Sequence, residues 1–172
     1  SNAEDSALSF TVPITAFTDE DGDSLTYTAT LSDGSALPSW LSFDASTRTF
    51  TGTPLNEHVG DISVKVTATD GSLSATDTFI LTVVNTNDAP TGLTLSATSL
   101  NENSAGAVVG TLTTSDVDVG DNHYYTVSDD RFEVVGGQLK LKTGSTIEYA
   151  NEQSITLTVT TTDAAGDAFD QS

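Results

Sequence analysis

The stretch SDVDVGDN, residues 115–122, sets Asp116 and Asp118 two apart and follows them with Gly120 and Asn122. Carboxylates this close repel one another, and no basic residue in the stretch offsets them. Calcium would: it is a hard cation that takes six to eight oxygens from carboxylates, amides, main-chain carbonyls and water. Upstream, VVNTNDAP (83–90) is another run of oxygen-bearing side chains, closed by a proline. Asn87 and Asp88 offer side-chain oxygens there, and Thr86 and Ala89 can offer carbonyls. Asp163, ending a later strand, can arrive at the same pole. The two stretches are read as halves of one calcium site shared between domains.

Other chemistry finds less support. A lone D-x-D is more often a solvated acidic turn, and here a repeat-equivalent acidic loop earlier in the chain weighs toward metal. TDEDGD (18–23) is not an EF-hand loop, because Gly22 is misplaced and Thr30 stands where a bidentate Glu is needed. A glycosidase needs two acids flanking a groove, whereas these aspartates cluster in turns. His58 and His123, the only histidines, sit on polar loops and are read as surface residues. With no recognisable nucleophile context and no zinc motif, the chain is read as non-enzymatic. Trp40 in LPSWLSF could stack on a sugar, but Leu37, Leu41 and Phe43 around it favour a core position.

Elements must hold these residues in place, and alternation supplies them. LTYTATL (25–31), ISVKVTAT (62–69), FILTVV (79–84), QLKLK (138–142) and ITLTVTTT (155–162) alternate apolar and polar residues and are rich in Thr, Val and Ile, the pattern of half-buried strands. Tyr124 and Tyr125 are adjacent, so one should face inward and one outward. Turn clusters separate the strands, and no stretch has a helical period. The fold class predicted is all-β, two tandem Greek-key β-sandwiches of about seven strands each.

The sequence also repeats. EDSA (4–7) resembles ENSA (102–105), TDEDGD resembles SDVDVGDN, and ISVKVTATD (62–70) resembles ITLTVTTTD (155–163). A period that long is one whole sandwich, which divides the chain into domains at 4–87 and 88–172. The opening SNA looks like a remnant of tag removal and is left out of the fold assignment. In the first copy TATDG leads into TDTFILTVV, whereas the second copy stops at DAAGDAFDQS. Its last strand is therefore expected to be cut short, leaving a neighbouring edge open.

Composition narrows the partners. Five Lys+Arg against 25 Asp+Glu give a formal net charge of −20, which excludes nucleic acid and an anionic membrane surface. No run of 18 apolar residues is present, so no direct membrane insertion is expected. Cysteine is absent, and bound metal is the usual substitute for disulfides in a small secreted domain.

The second domain resembles the cadherin repeat along nearly its whole length. Glu102 in NEN, Asp116, Asp118, Gly120 and Asn122 in the loop, and Asp163 in TTD match that family's acidic start, D-x-D-x-G-x-N loop and T-x-D strand end. NTNDA is a looser match to the D-x-N-D-N linker, and IEYA (147–150) replaces L-D-x-E with Glu148 and Ala150. The first domain is similar to the dystroglycan-type cadherin-like domains of large bacterial surface proteins, through LPSWLSFDASTRTFTGTP (37–54). The resemblance implies an interdomain calcium set of Glu4, Thr86, Asn87, Asp88, Ala89, Asp116, Asp118, Asn122 and Asp163. It implies weaker positions at Asp19, Asp21, Asp23 and Asp70 on the upper pole of domain one, and at Glu57, Glu102 and Glu148. The function it implies is a non-catalytic, extracellular, calcium-rigidified adhesive stalk whose partners are calcium, neighbouring domains of the same chain, and a cell-surface protein or polysaccharide. A polysaccharide-binding module is the alternative.

Overall fold

Side chains that alternate between core and solvent build both halves of this protein, whose computed structural model describes residues 1–172. It divides into two compact units, Ser1–Thr86 and Asn87–Ser172. No helix is long and apolar enough to cross a membrane.

The first unit has seven strands: β1 (Asn2–Ala3), β2 (Leu8–Thr11), β3 (Thr26–Leu31), β4 (Leu41–Asp44), β5 (Thr49–Gly52), β6 (Gly60–Thr69) and β7 (Ser74–Val84). They form two sheets, ordered β1-β7-β6-β3 and β2-β5-β4. On β6 every second residue points inward, so Val64, Val66 and Ala68 are fully buried. Phe50 of β5 meets them from the other sheet and packs on Phe43, with ring centroids 4.5 Å apart, and on Phe79 at 5.7 Å. Trp40 and Leu37 pack against the same cluster, the core placement that their apolar neighbours predict.

Two expectations for this unit are corrected. The opening residues do belong to the fold: β1 pairs in parallel with β7, Asn2 opposite Val83 and Ala3 opposite Val84. The main-chain groups on that edge of β7 need partners, and β1 supplies them. His58 is not a surface residue, since its side chain is only 22% exposed. Its Nδ1 accepts the Leu55 N–H at 2.9 Å, and its ring lies 5.4 Å from that of Trp40.

The second unit repeats the plan with β8 (Gly92–Leu95), β9 (Val108–Ser115), β10 (Tyr124–Val127), β11 (Phe132–Val135), β12 (Gln138–Leu141), β13 (Val159–Thr162) and β14 (Ala168–Gln171). Its sheets are ordered β10-β13-β14 and β11-β12-β9-β8. Leu93, Leu112, Phe132, Leu139, Leu141 and Val159 form the core. Of the adjacent tyrosines, Tyr125 packs on that core while Tyr124 is exposed.

The strand expected over 155–162 is only half realised. Residues 159–162 pair with β10 on one side and β14 on the other. Residues 155–158 lie outside the ladder: the pairing with β10 stops at Val127 opposite Val159, although the Ser128 N–H still reaches the Thr158 carbonyl at 3.0 Å.

Candidate metal centre

The end of β9 and the end of β13 deliver acidic side chains to one pole of the second unit. The 115–122 loop turns back on itself at Gly120, whose φ of 95° suits glycine far better than an L side chain. Within the loop the Asp118 N–H donates to Asp116 Oδ1 at 3.0 Å, and the Asp121 N–H reaches the Asp118 carbonyl at 3.4 Å. Asp163 closes a second turn, its Oδ1 accepting the N–H groups of Gly166 and Asp167 at 2.7 and 2.9 Å.

These turns converge. One carboxylate oxygen from each of Asp116, Asp121 and Asp163 lies within 4.8 Å of the others. Asp163 is 2% exposed and the Asp116 side chain 5%, so water screens the group poorly. Asp121 Oδ2 is buried with no hydrogen-bond partner, a costly state for a carboxylate unless a cation answers it. The one basic group at hand is His123, with Nε2 2.8 Å from Asp116 Oδ2 and its side chain 14% exposed. His123 is therefore a correction to the surface placement: the loop folds it onto the acid it follows by seven residues.

The protonation balance keeps Asp116 and Asp163 charged. Burial pushes the Asp116 carboxyl up, but the Asp118 N–H and the His123 imidazole outweigh it and hold it below the usual carboxylate range. The Asn87 amide is the main cause of the lowered Asp163 pKa, against burial, with the 165–167 main chain assisting.

The start of the second unit is tied into this pole. Asn87 Nδ2 donates to Asp163 Oδ2 at 2.9 Å and to Asp167 Oδ2 at 3.1 Å. The Asp88 N–H donates to Asp118 Oδ2 at 2.7 Å. Asn87, Asp88, Asp116, Asp118 and Asp163 thus assemble within one unit, whereas Ala89 and Asn122 are exposed. Asp121, His123 and Asp167 take part although the sequence reading passed over them. For Asp121 the available signal was its place between Gly120 and Asn122. Asp167 becomes a neighbour only through the turn after Asp163.

The other predicted residues lie apart from this pole or in the first unit. In the first unit Glu4 is 1% exposed; its Oε1 accepts the Thr86 N–H at 2.8 Å and its Oε2 is buried without a partner. Asp19 Oδ1 accepts the N–H groups of Asp21 and Asp23, each at 3.0 Å, and Asp70 Oδ1 caps the turn at Ser72 and Leu73. Glu57 is 77% exposed beside His58. In the second unit Glu102 Oε2 accepts the Tyr149 N–H at 3.0 Å, and Glu148 Oε2 accepts from Asn151 at 2.6 Å.

As a donor set, the second-unit pole is oxygen-rich, anionic and free of sulfur. Such chemistry fits a hard divalent cation, calcium above all.

Comparison with known proteins agrees with the architecture. Residues 1–84 match the family model described as "Putative Ig domain". No curated protein sequence matches the chain. The crystal structure of human protocadherin-24 EC1-2, form II, is 19% identical with a TM-score of 0.64, the match covering 90% of this chain and 79% of that one. Drosophila N-cadherin EC1-4 is 19% identical with a TM-score of 0.62, covering 89% and 41%. The protocadherin GammaB4 extracellular domain is 20% identical with a TM-score of 0.63, covering 86% of this chain but 24% of that one. The fold of this chain is that of cadherin-like, immunoglobulin-like β-sandwich repeats.

Proposed function

We propose that this chain is a non-catalytic, calcium-binding extracellular module, one segment of a calcium-rigidified stalk in a bacterial adhesin or surface protein. The first unit would be the dystroglycan-type cadherin-like domain and the second the cadherin repeat. The observation that carries the reading is the convergence of Asp116, Asp121 and Asp163 around a buried, unanswered oxygen. A second feature gives the site a purpose. Asn87 and Asp88, the first residues after Thr86, are bonded to Asp163 and Asp118, so whatever neutralises those carboxylates acts on the conformation of the joint.

The proposed ligands are Asp116, Asp118, Asp121 and Asp163, with Asn87, Asp88, the carbonyls of Thr86, Ala89 and Asn122, and Glu4 supplied by the first unit. Bound calcium would neutralise the acids and fix the joint segment. Asp19, Asp21, Asp23, Asp70, Glu57, Glu102 and Glu148 are proposed as further, weaker positions. The partners proposed are neighbouring repeats of the parent chain and a cell-surface protein or polysaccharide as receptor.

Calorimetric titration of the chelator-stripped chain tests the reading. Calcium should bind with an affinity on the order of 10⁻⁴ to 10⁻³ M or tighter, and magnesium far more weakly. Equal and weak heats for both ions would contradict it.

A further inference from the structure

His123 belongs to the acidic pole of the second unit but to none of the ligand sets proposed for it. It stands just before β10, and Asp116 stands just after β9. These two strands lie in different sheets, β10-β13-β14 and β11-β12-β9-β8. The 2.8 Å contact between His123 Nε2 and Asp116 Oδ2 therefore ties one sheet to the other at the mouth of the 115–122 loop. The ladder fixes where His123 stands. Tyr124 lies opposite Thr162, so the same register brings residue 123 level with Asp163.

Chemistry fixes the direction of the bond. The Asp116 carboxyl is held below the usual carboxylate range, so it is ionised at neutral pH and can only accept. His123 is therefore the donor, with a proton on Nε2 whichever charge the ring carries. Oδ1 of Asp116 already accepts the Asp118 N–H at 3.0 Å. With a donor on each oxygen, this carboxylate is held in one orientation, and only its remaining lone pairs are left for an ion. The His123 side chain is 14% exposed and that of Asp116 5%, so water competes little for the bond. Asp121 is the contrast, since its buried Oδ2 has no partner at all.

We propose that His123 is a positioning residue of this site, pinning Asp116 so that the pole takes calcium in preference to magnesium. The inference rests on the calcium reading above and adds to it a residue that itself touches no ion. Magnesium demands near-ideal octahedral geometry with bonds of about 2.0–2.1 Å, whereas calcium accepts irregular oxygen sets at about 2.3–2.6 Å. A carboxylate bonded on both oxygens cannot draw in to meet the smaller ion. Calcium needs no such movement, because its coordination adapts to a ligand already in place. Donors standing behind a metal ligand orient it, and losing one typically weakens metal binding by about 10–100-fold.

The test is calorimetric titration of the intact, chelator-stripped chain with calcium and, separately, with magnesium. His123→Ala should weaken calcium binding by about tenfold and leave magnesium binding nearly unchanged, so the preference for calcium narrows. His123→Phe, which fills the space without donating, should behave in the same way. His123→Gln returns an N–H donor and should restore most of the affinity and of the preference. A readout without metal accompanies these. In the ion-free chain, exchange of the Asp118 amide, which bonds Asp116, should speed in the Ala and Phe variants but not in the Gln variant. Wild type that binds calcium, with all three variants binding it equally well, would overturn the positioning role and leave the calcium reading standing. Equal weakening of both ions in all three variants would also overturn it, since His123 would then act through shape alone. Wild type that binds neither ion would remove the calcium reading, and this inference with it.

Discussion

Asp121 has a buried carboxylate oxygen with nothing bonded to it, while Asp163 receives donors on both of its oxygens. That difference assigns them different parts in the proposed site: Asp163 is held by the protein, and Asp121 waits for the ion. Asp121→Asn keeps the shape but removes a charge, so calcium affinity should fall about tenfold or more, equivalent to about 1.4 kcal/mol. Titration calorimetry on that variant reads it directly, and an unchanged affinity would remove Asp121 from the ligand set. Arg131 gives a second residue-scale test. Its guanidinium bonds Asp129 Oδ2 at 2.6 Å and Glu152 Oε2 at 2.5 Å, and these bonds are the main cause of the lowered pKa of both acids. An acid whose folded pKa is depressed contributes stability above its unfolded value, about 4, and loses it as pH falls through the folded value. Arg131→Ala should therefore lower the melting temperature of the second unit at pH 7, and the gap should close toward pH 2. A gap constant with pH would mean that Arg131 acts through packing alone.

At the scale of the element, Gly52 shows how tightly the first unit is specified. A Cβ there would stand 2.1 Å from the Trp40 carbonyl oxygen, which is main chain and cannot swing aside. Gly52→Ala should cost about 1–3 kcal/mol, as overpacked cores do, and differential scanning calorimetry should register it in the first unit only. This contact makes packing partners of Trp40 and Gly52, the tryptophan and the glycine of LPSWLSFDASTRTFTGTP. Alternation made β3, β6 and β12 legible, because each has one face on a core and one in solvent. It failed over 155–158, where the pattern is right but the residues lie outside the ladder; periodicity reports which face is buried but not whether a ladder exists. The acidic pole was legible through Asp116, Asp118 and Asp163. Asp121 and His123 escaped because their roles depend on how one loop folds on itself, and Asp167 because its turn brings it back beside Asp163.

The whole molecule carries a net charge of −20 with five basic side chains to offset it, so few of its own cations are at hand to screen its acidic poles. Unit charges about 4 Å apart repel by roughly 4 kcal/mol at an effective dielectric of 20, and the Asp116, Asp121 and Asp163 oxygens lie within 4.8 Å of one another. If calcium relieves that repulsion while holding Asn87 and Asp88, its removal loosens the segment between the units before it unfolds either sandwich. Small-angle scattering on one sample, calcium-loaded and then chelated, with circular dichroism alongside, tests this most directly. The account predicts that chelation broadens the distribution of distances between the units while the β-sheet signal persists, and that Asp118→Ala does the same in the presence of calcium. A scattering profile that is unchanged by chelation would contradict it.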